Sequence, residues 1–154
     1  MNETSGNPTV LVTGGAGYIG AHAVLALETA GYQTVILDNL EYGHKELAEA
    51  HLNAEIIVGD TTDRPLLDKL FTTYNVAAVL HFAAYIAVGE SVSEPAKYYR
   101  NNVYGTLNLL EAMVAHGVKR LVFSSTCAIY GPPKIVPIPE DHPQNPISPY
   151  ATSK

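Results

Sequence analysis

The chain has 154 residues, a single cysteine and a formal net charge of −6. That length suits one domain with a sizeable core, and the acidic balance argues against a nucleic-acid surface, which needs clustered Lys and Arg. The lone Cys127 precludes an internal disulfide and points to a reducing compartment. The opening "MNETSGNPTV" has no basic segment followed by an apolar one, and no apolar run nears the roughly 20 residues of a membrane span. The expectation is a soluble cytoplasmic protein with neither nucleic-acid nor membrane partners.

"TVLVTGG" (9–15) is a short β-rich apolar run ending in glycines and reads as a buried strand. "YIGAHAVLALETAG" (18–31) follows at helical spacing, with Gly31 as its stop. "QTVILDN" (33–39) is a second strand, "KELAEAHL" a polar helix, and "AEIIVGD" (54–60) a third strand. Asp63 then caps a helix that has Pro65 in its first turn. "VAAVLHFAA" (76–84) is strand four, and Pro95 opens the longest helix, which runs to Gly117. "KRLVFSST" (119–126) is strand five, and a Pro-rich loop from Pro132 to Pro149 leads into "YATSK". Apolar strands alternating with helices predict an α/β fold, a doubly wound parallel sheet covered on both faces.

The turn "TGGAGYIG" sets Gly14, Gly17 and Gly20 between the first strand and the first helix. Such glycines serve a tight turn, the approach of a backbone to a pyrophosphate, and close packing of helix on strand. The unpaired N–H groups that open the helix then face the phosphates without help from basic side chains. Asp38 ends strand two, 18 residues past Gly20, where a carboxylate can accept hydrogen bonds from an adenosine ribose. It would repel a 2′-phosphate, which favours NAD over NADP. The alternative to this favoured reading is that Asp38 is a turn-forming residue before Asn39.

If "YATSK" starts a helix, Tyr150 and Lys154 share one face, one turn apart. Free tyrosine titrates near 10, and an adjacent ammonium favours its phenolate, which is the form a general base needs. The six histidines show no paired metal spacing, so no metal is expected. His81 reads as a satisfied core histidine, Cys127 as an inert buried thiol, and Tyr98 and Tyr99 as packing between helices.

The stretches "VTGGAGYIGAH", "DNLEYG", "HFAAYIAVGESV", "YYRNNVYGTLNLLEAM", "FSSTCAIYG" and "SPYATSK" together resemble the extended short-chain dehydrogenase/reductase family, and within it the nucleotide-sugar 4-epimerases. The resemblance implies a Rossmann sheet in the order 3-2-1-4-5, with NAD at the switch point between strands one and four. It implies that Tyr18 and Ile19 touch the pyrophosphate, that the segment from Asp38 through Asn39 and Leu40 to Gly43 surrounds the ribose, and that Asp60 and Thr61 meet the adenine. It places Phe82, Ala83, Ala84 and Asn101 along the cofactor. Thr126, Tyr150 and Lys154 become the catalytic residues, with Tyr150 and Lys154 also touching NAD.

The implied reaction interconverts UDP-glucose and UDP-galactose through a 4-keto sugar, in a homodimeric parent enzyme. Family dehydratases carry acidic residues after the catalytic Ser/Thr, whereas this chain has Cys127 and Ala128, which favours epimerisation. Ile86 departs from the lysine common at its position. Family members run to about twice this length, so residues 1–154 are expected to be an incomplete NAD-binding domain, without the sixth strand and the C-terminal substrate domain. As such the chain is expected to be inactive by itself. The alternatives are a stand-alone NAD-binding module and another nucleotide-sugar epimerase or dehydratase.

Overall fold

The structure is a computed structural model that describes residues 8–154. It divides into two compact units, one taking the chain through Ala83 and Gly105–Ser124, the other Ala84–Tyr104 and Ser125–Lys154.

The larger unit is a five-stranded parallel sheet in the order β3-β2-β1-β4-β5. Its strands are β1 (Thr9–Thr13), β2 (Gln33–Asp38), β3 (Glu55–Val58), β4 (Val76–His81) and β5 (Leu121–Phe123). The central β1 is buried at every position because both sheet faces carry a core. Leu11, Val35, Leu37 and Val79 pack on one face with Leu67, Leu70, Phe71, Leu109 and Met113. On the other, Val10, Val12 and Ile36 pack with Val24 and Leu27. These partners come from α3 (Arg64–Thr73), α6 (Gly105–Ala115) and α1 (Tyr18–Thr29). A strand with alternate residues in two cores reads as an unbroken apolar run, and "TVLVT" is one.

Local signals explain the helix ends. Asp63 accepts from the Leu66 N–H at 3.1 Å with Pro65 in the first turn of α3, as its sequence predicts. Gly31 and Gly117 take φ of 85° and 72° just past α1 and α6, the left-handed conformation that ends a helix cheaply. The helix α2 (Lys45–His51) precedes the edge strand β3.

Several strands are shorter than the sequence predicts. The first ends at Thr13 because Gly14 turns away with φ of 71°, and β4 ends at His81, opposite Thr13. The third and fifth strands are sheet edges rather than doubly covered: Val58 and Val122 are exposed. Strand five, expected over 119–126, pairs only from Leu121 to Phe123, since β4 offers no partner beyond His81.

The smaller unit holds the short helices α4 (Val88–Ser93), α5 (Pro95–Tyr98) and α7 (Pro149–Ser153), and a 3-10 turn at Cys127–Tyr130. The helix α4 is not among the helices the sequence predicts; its apolar Val88 and Val92 stand four residues apart but both are exposed. From Tyr99 to Tyr104 the backbone is π-helical, where the sequence reads as uninterrupted α-helix from Pro95. Tyr98 is fully buried as expected, whereas Tyr99 is exposed. Cys127 is exposed too, correcting the expected buried thiol. The Pro-rich loop is internally tied. His142 accepts the Lys134 N–H at Nε2 (3.2 Å), so its Nδ1 carries the proton donated to the Pro143 carbonyl (2.9 Å). Among the described residues no helix is long and apolar enough to cross a membrane, and no group of His, Cys, Asp and Glu is arranged for a metal ion.

Candidate functional site

The C-terminal ends of β1, β2 and β4 gather most of the predicted cofactor residues in the larger unit, and each glycine of the turn has its own reason. A Cβ on Gly14 would fall 2.6 Å from the Ala83 nitrogen and 2.8 Å from the Phe82 carbonyl carbon. The turn after β1 therefore lies directly against the segment that follows β4. A Cβ on Gly20 would lie 2.1 Å from the Gly14 carbonyl oxygen, so Gly20 lets α1 seat on the turn. Gly17 differs: its nearest foreign atom would be 3.4 Å away, an ordinary contact, and its φ of −85° suits any residue. Packing therefore does not require glycine there, although glycine is a favoured N-cap residue and the position opens α1.

Gly17 precedes α1 without any side-chain cap, and the first turn holds no acidic residue. The opening N–H groups give this helix start a partial positive charge, an environment that suits an anion. Tyr18 and Ile19, 82% and 60% exposed, stand at the same helix start, with the Tyr18 ring 4.7 Å from that of His22.

Asp38 is 7% exposed and tethers the turn: its Oδ2 accepts from the Ala16 N–H (3.0 Å) and its Oδ1 from the Leu40 N–H (2.9 Å). Each oxygen keeps a second lone-pair direction for a hydroxyl donor. Both sequence readings of Asp38 are thus compatible in one side chain, since it holds the Asn39–Leu40 turn while remaining an acceptor. Leu40 takes φ of 61°, and a Cβ on Gly43 would press to 2.7 Å from Asp38 Oδ1.

Asn39 Nδ2 donates to Asp60 at 3.0 Å, and the Thr62 N–H and hydroxyl donate to the other Asp60 oxygen at 2.8 Å each. Burial pushes the Asp60 carboxyl up, but the two Thr62 bonds and the Asn39 bond outweigh it and hold the group below its ordinary value. Thr61 is buried against α6. Its carbonyl accepts from Asn108 (2.7 Å), and a Cβ on Gly105 would reach 2.5 Å from its hydroxyl. The side chain of Thr61 therefore serves the packing of α6.

Phe82 and Ala83 leave β4 by donating to Thr13, at its carbonyl (2.9 Å) and hydroxyl (3.4 Å) respectively. The Thr13 hydroxyl also bonds His81 Nδ1, and His81 Nε2 meets Thr106 at 2.9 Å. His81 is thus the satisfied core histidine that its apolar strand suggests, and it braces the strand end. Thr13 opens the "TGGAGYIG" turn, but the sequence reading gave it no role, and its part in the brace depends on contacts with distant residues.

Ala84, Asn101, Thr126, Tyr150 and Lys154 lie in the smaller unit. Ser148 caps α7, its hydroxyl accepting from the Ala151 N–H at 3.2 Å, with Pro149 in the first turn. "SPYATSK" therefore does form a helical turn, with Tyr150 and Lys154 four residues apart along it. The Tyr150 ring meets the buried Tyr98 ring edge-on at 6.5 Å. Tyr98 is fixed in turn by its hydroxyl, which lies 2.7 Å from Glu90 and 2.8 Å from the Ala87 carbonyl.

Burial lowers the Lys154 ammonium from 10.5 to about 8. Thr126 caps the 3-10 turn by accepting from the Ala128 N–H at 3.2 Å, which leaves its hydroxyl proton available to donate. The neighbouring Ser125 hydroxyl donates to the Lys154 main-chain oxygen at 3.3 Å, bringing the Thr126 turn to α7. Asn101 donates to Asn102 at 2.9 Å. Sequence reasoning named Asn101 and passed over Asn102, although the buried amide is the latter.

Residues 10–154 match the NAD dependent epimerase/dehydratase family. The chain is 51% identical over 148 residues to UDP-glucose 4-epimerase of Rhizobium meliloti, covering 96% of this chain and 44% of that protein. It is 49% identical over 152 residues to UDP-arabinose 4-epimerase 1 of Arabidopsis thaliana, covering 94% of this chain and 36% of that one. The crystal structure of UDP-glucose 4-epimerase from Bifidobacterium longum in complex with NAD+ and UDP superposes with a TM-score of 0.90 at 42% identity, over 95% of this chain and 45% of that one. The chain thus spans under half the length of these relatives. A glycine turn, a carboxylate at the end of β2 and a capped Tyr-x-x-x-Lys helix agree with that likeness along nearly the whole length, and the chain belongs to the NAD dependent epimerase/dehydratase family.

Proposed function

We propose that this chain is the cofactor-binding part of an NAD-dependent 4-epimerase that interconverts UDP-glucose and UDP-galactose through a 4-keto sugar. The observation that carries the reading is the occurrence, in one chain, of a ligand-ready glycine turn tied to Asp38 and a capped turn bearing Tyr150 and Lys154. NAD bound at the turn supplies the acceptor and later the donor of a hydride. The chain's own residues do the rest. Gly17 and the start of α1 admit the pyrophosphate, Asp38 accepts from the adenosine ribose, and the polar cluster of Asn39 and Asp60 borders the adenine.

Tyr150 takes the proton of the sugar 4-hydroxyl, Lys154 stands one turn further along α7 as its cationic partner, and Thr126 hydrogen-bonds the reacting oxygen. Lys154, titrating near 8, stays largely protonated at neutral pH and can play that part. Cys127 and Ala128 hold no acid for an elimination, which favours epimerisation over dehydration.

Residues 1–154 then form the NAD-binding part, and the rest of the UDP-sugar site belongs to the length that the relatives carry beyond the match. The exposed Leu107, Leu110 and Val114 of α6 fit a surface covered by a second copy in a homodimer, and the exposed thiol of Cys127 fits a reducing, cytoplasmic setting. The test is a chimera that continues this chain beyond Lys154 with the matching remainder of the Rhizobium meliloti relative, offered UDP-galactose and UDP-arabinose. Turnover of UDP-galactose by the chimera, its loss in Tyr150→Phe with NAD still bound, and no turnover by the 154-residue chain are expected. A folded, NAD-bound chimera that epimerises only UDP-arabinose would replace the proposed substrate. Full activity of Tyr150→Phe would remove the proposed base.

A further inference from the structure

Residues 131–147, between the 3-10 turn at Cys127–Tyr130 and α7, form neither helix nor strand, and His142 is the one buried residue among them, 8% exposed. Loops of such length without regular structure are uncommon, and most are either functional or disordered. This one is ordered from within. The His142 ring meets the Tyr130 ring of the 3-10 turn edge-on at 5.6 Å. Its Nε2 accepts from the Lys134 N–H and its Nδ1 donates to the Pro143 carbonyl. One side chain therefore gathers both arms of the loop onto the turn.

The base of the loop is closed as well. The Asn145 N–H donates to the Ile129 carbonyl at 2.8 Å, and a Cβ on Gly131 would stand 2.2 Å from the Asn145 carbonyl oxygen. With φ of 61° and ψ of −147°, Gly131 lets the chain leave the turn and pass close by Asn145. Ser148, which caps α7, follows three residues after Asn145. Closure of the loop thus decides where α7 starts relative to the turn that Thr126 caps. A helix of five residues is too short to keep a place of its own, and closing a long flexible loop costs entropy that its internal ties must offset.

An imidazole that accepts at Nε2 and donates at Nδ1 is fixed as the neutral Nδ1–H tautomer. We infer that His142 is the positioning residue of the Pro-rich loop, holding it closed in that tautomer so that α7, with Tyr150 and Lys154, starts beside the Thr126 turn. The inference rests on the acid/base reading of those three residues, but its first two tests do not use activity.

The first test uses the unaltered 154-residue chain. Long-range proton–nitrogen correlation spectra in mildly alkaline buffer should show His142 protonated at Nδ1 and bare at Nε2. The second compares hydrogen exchange in His142→Ala and His142→Gln. In His142→Ala the amides of Lys134, Asn145 and Thr152 should exchange about tenfold faster or more, while Val12 and Ile36 in the sheet keep their rates. A glutamine amide reaches about as far as Nε2 and can still accept from Lys134, and water can serve the carbonyl of the exposed Pro143. His142→Gln should therefore restore most of the protection. In the chimera that continues beyond Lys154, kcat with UDP-galactose should fall about tenfold or more in His142→Ala and recover in His142→Gln.

An Nε2–H tautomer would overturn the inference, and it decides the matter even if His142→Ala fails to fold. Unchanged exchange at Asn145 and Thr152 in His142→Ala, a uniform rise across loop and sheet, or wild-type kcat in the His142→Ala chimera would overturn it too. Loosening as expected, together with an active Tyr150→Phe chimera, would uphold the positioning and sink the acid/base reading alone.

Discussion

Replacing Gly17 and Gly20 in turn by alanine separates what the fold needs from what the ligand needs. At Gly20 the added Cβ would stand 2.1 Å from the Gly14 carbonyl oxygen and 2.8 Å from two further atoms, all of them backbone. No rotamer change relieves such contacts, so the turn or the first turn of α1 has to move. Overpacking of this kind costs about 1–3 kcal/mol, and a contact with rigid backbone belongs at the upper end. At Gly17 the added Cβ would meet the Gly14 oxygen at 3.4 Å, and the residue's φ of −85° and ψ of 173° are open to alanine. Alanine is a poorer N-cap than glycine by about 0.5–1 kcal/mol, while its stiffer unfolded chain returns about 0.4–1 kcal/mol. These cancel, so Gly17→Ala should leave stability nearly unchanged.

Binding should respond in the opposite way. A methyl at Gly17 would occupy the space that a pyrophosphate needs to reach the α1 N–H groups, and NAD affinity should fall at least about tenfold, some 1.4 kcal/mol. Urea unfolding supplies the stabilities and calorimetric titration with NAD the affinities. Wild-type NAD affinity in Gly17→Ala would refute the placement of the pyrophosphate. Wild-type stability in Gly20→Ala would refute the packing argument for the turn.

Asp38→Asn should cost about 1–3 kcal/mol, because an amide can accept from only one of the Ala16 and Leu40 N–H groups and turns its own N–H₂ on the other. The same change should narrow the preference for NAD over NADP, measured by calorimetry on the folded variant. Lys154→Met should raise the urea midpoint at pH 7. In the folded chain the Lys154 ammonium titrates at about 8 rather than 10.5, so the unfolded chain holds that proton more tightly. The burial penalty is present in full below about 8 and fades as pH rises toward 10.5, so the gap between variant and wild type should close over that window. Leu11→Ala, at a fully buried position in the central strand, should cost about 2–5 kcal/mol in the same urea assay.

The strands and the glycine turn were legible because their signals are local and repeated, whereas the sheet order came with the family resemblance. "TVLVT" and "VILD" are apolar at successive positions since their strands face two cores, and Gly14, Gly17 and Gly20 fall where a strand hands over to a helix. The helix α7 was legible from Ser148, Pro149 and the Tyr-x-x-x-Lys spacing. What stayed hidden depends on contacts between distant residues. Nothing around Asn102 announces that it, and not Asn101, carries the buried amide, since its partners Tyr85 and Ser153 lie 17 and 51 residues away. The π-helical stretch leaves no mark in a sequence that reads as good helix. The reach of strand five was overestimated for a related reason: a strand extends only as far as its neighbour, and β4 stops pairing at His81. Cys127 was read as buried from its lack of charged neighbours in sequence, which says nothing about its place on a short exposed 3-10 turn.

The most direct test of the cofactor-binding account is a calorimetric titration of the 154-residue chain with NAD and with NADP under identical conditions. One NAD per chain, with NADP weaker by at least about tenfold because the buried Asp38 carboxylate repels a 2′-phosphate, is the predicted result. Equal affinity for the two, or no NAD bound by a folded chain, would contradict it.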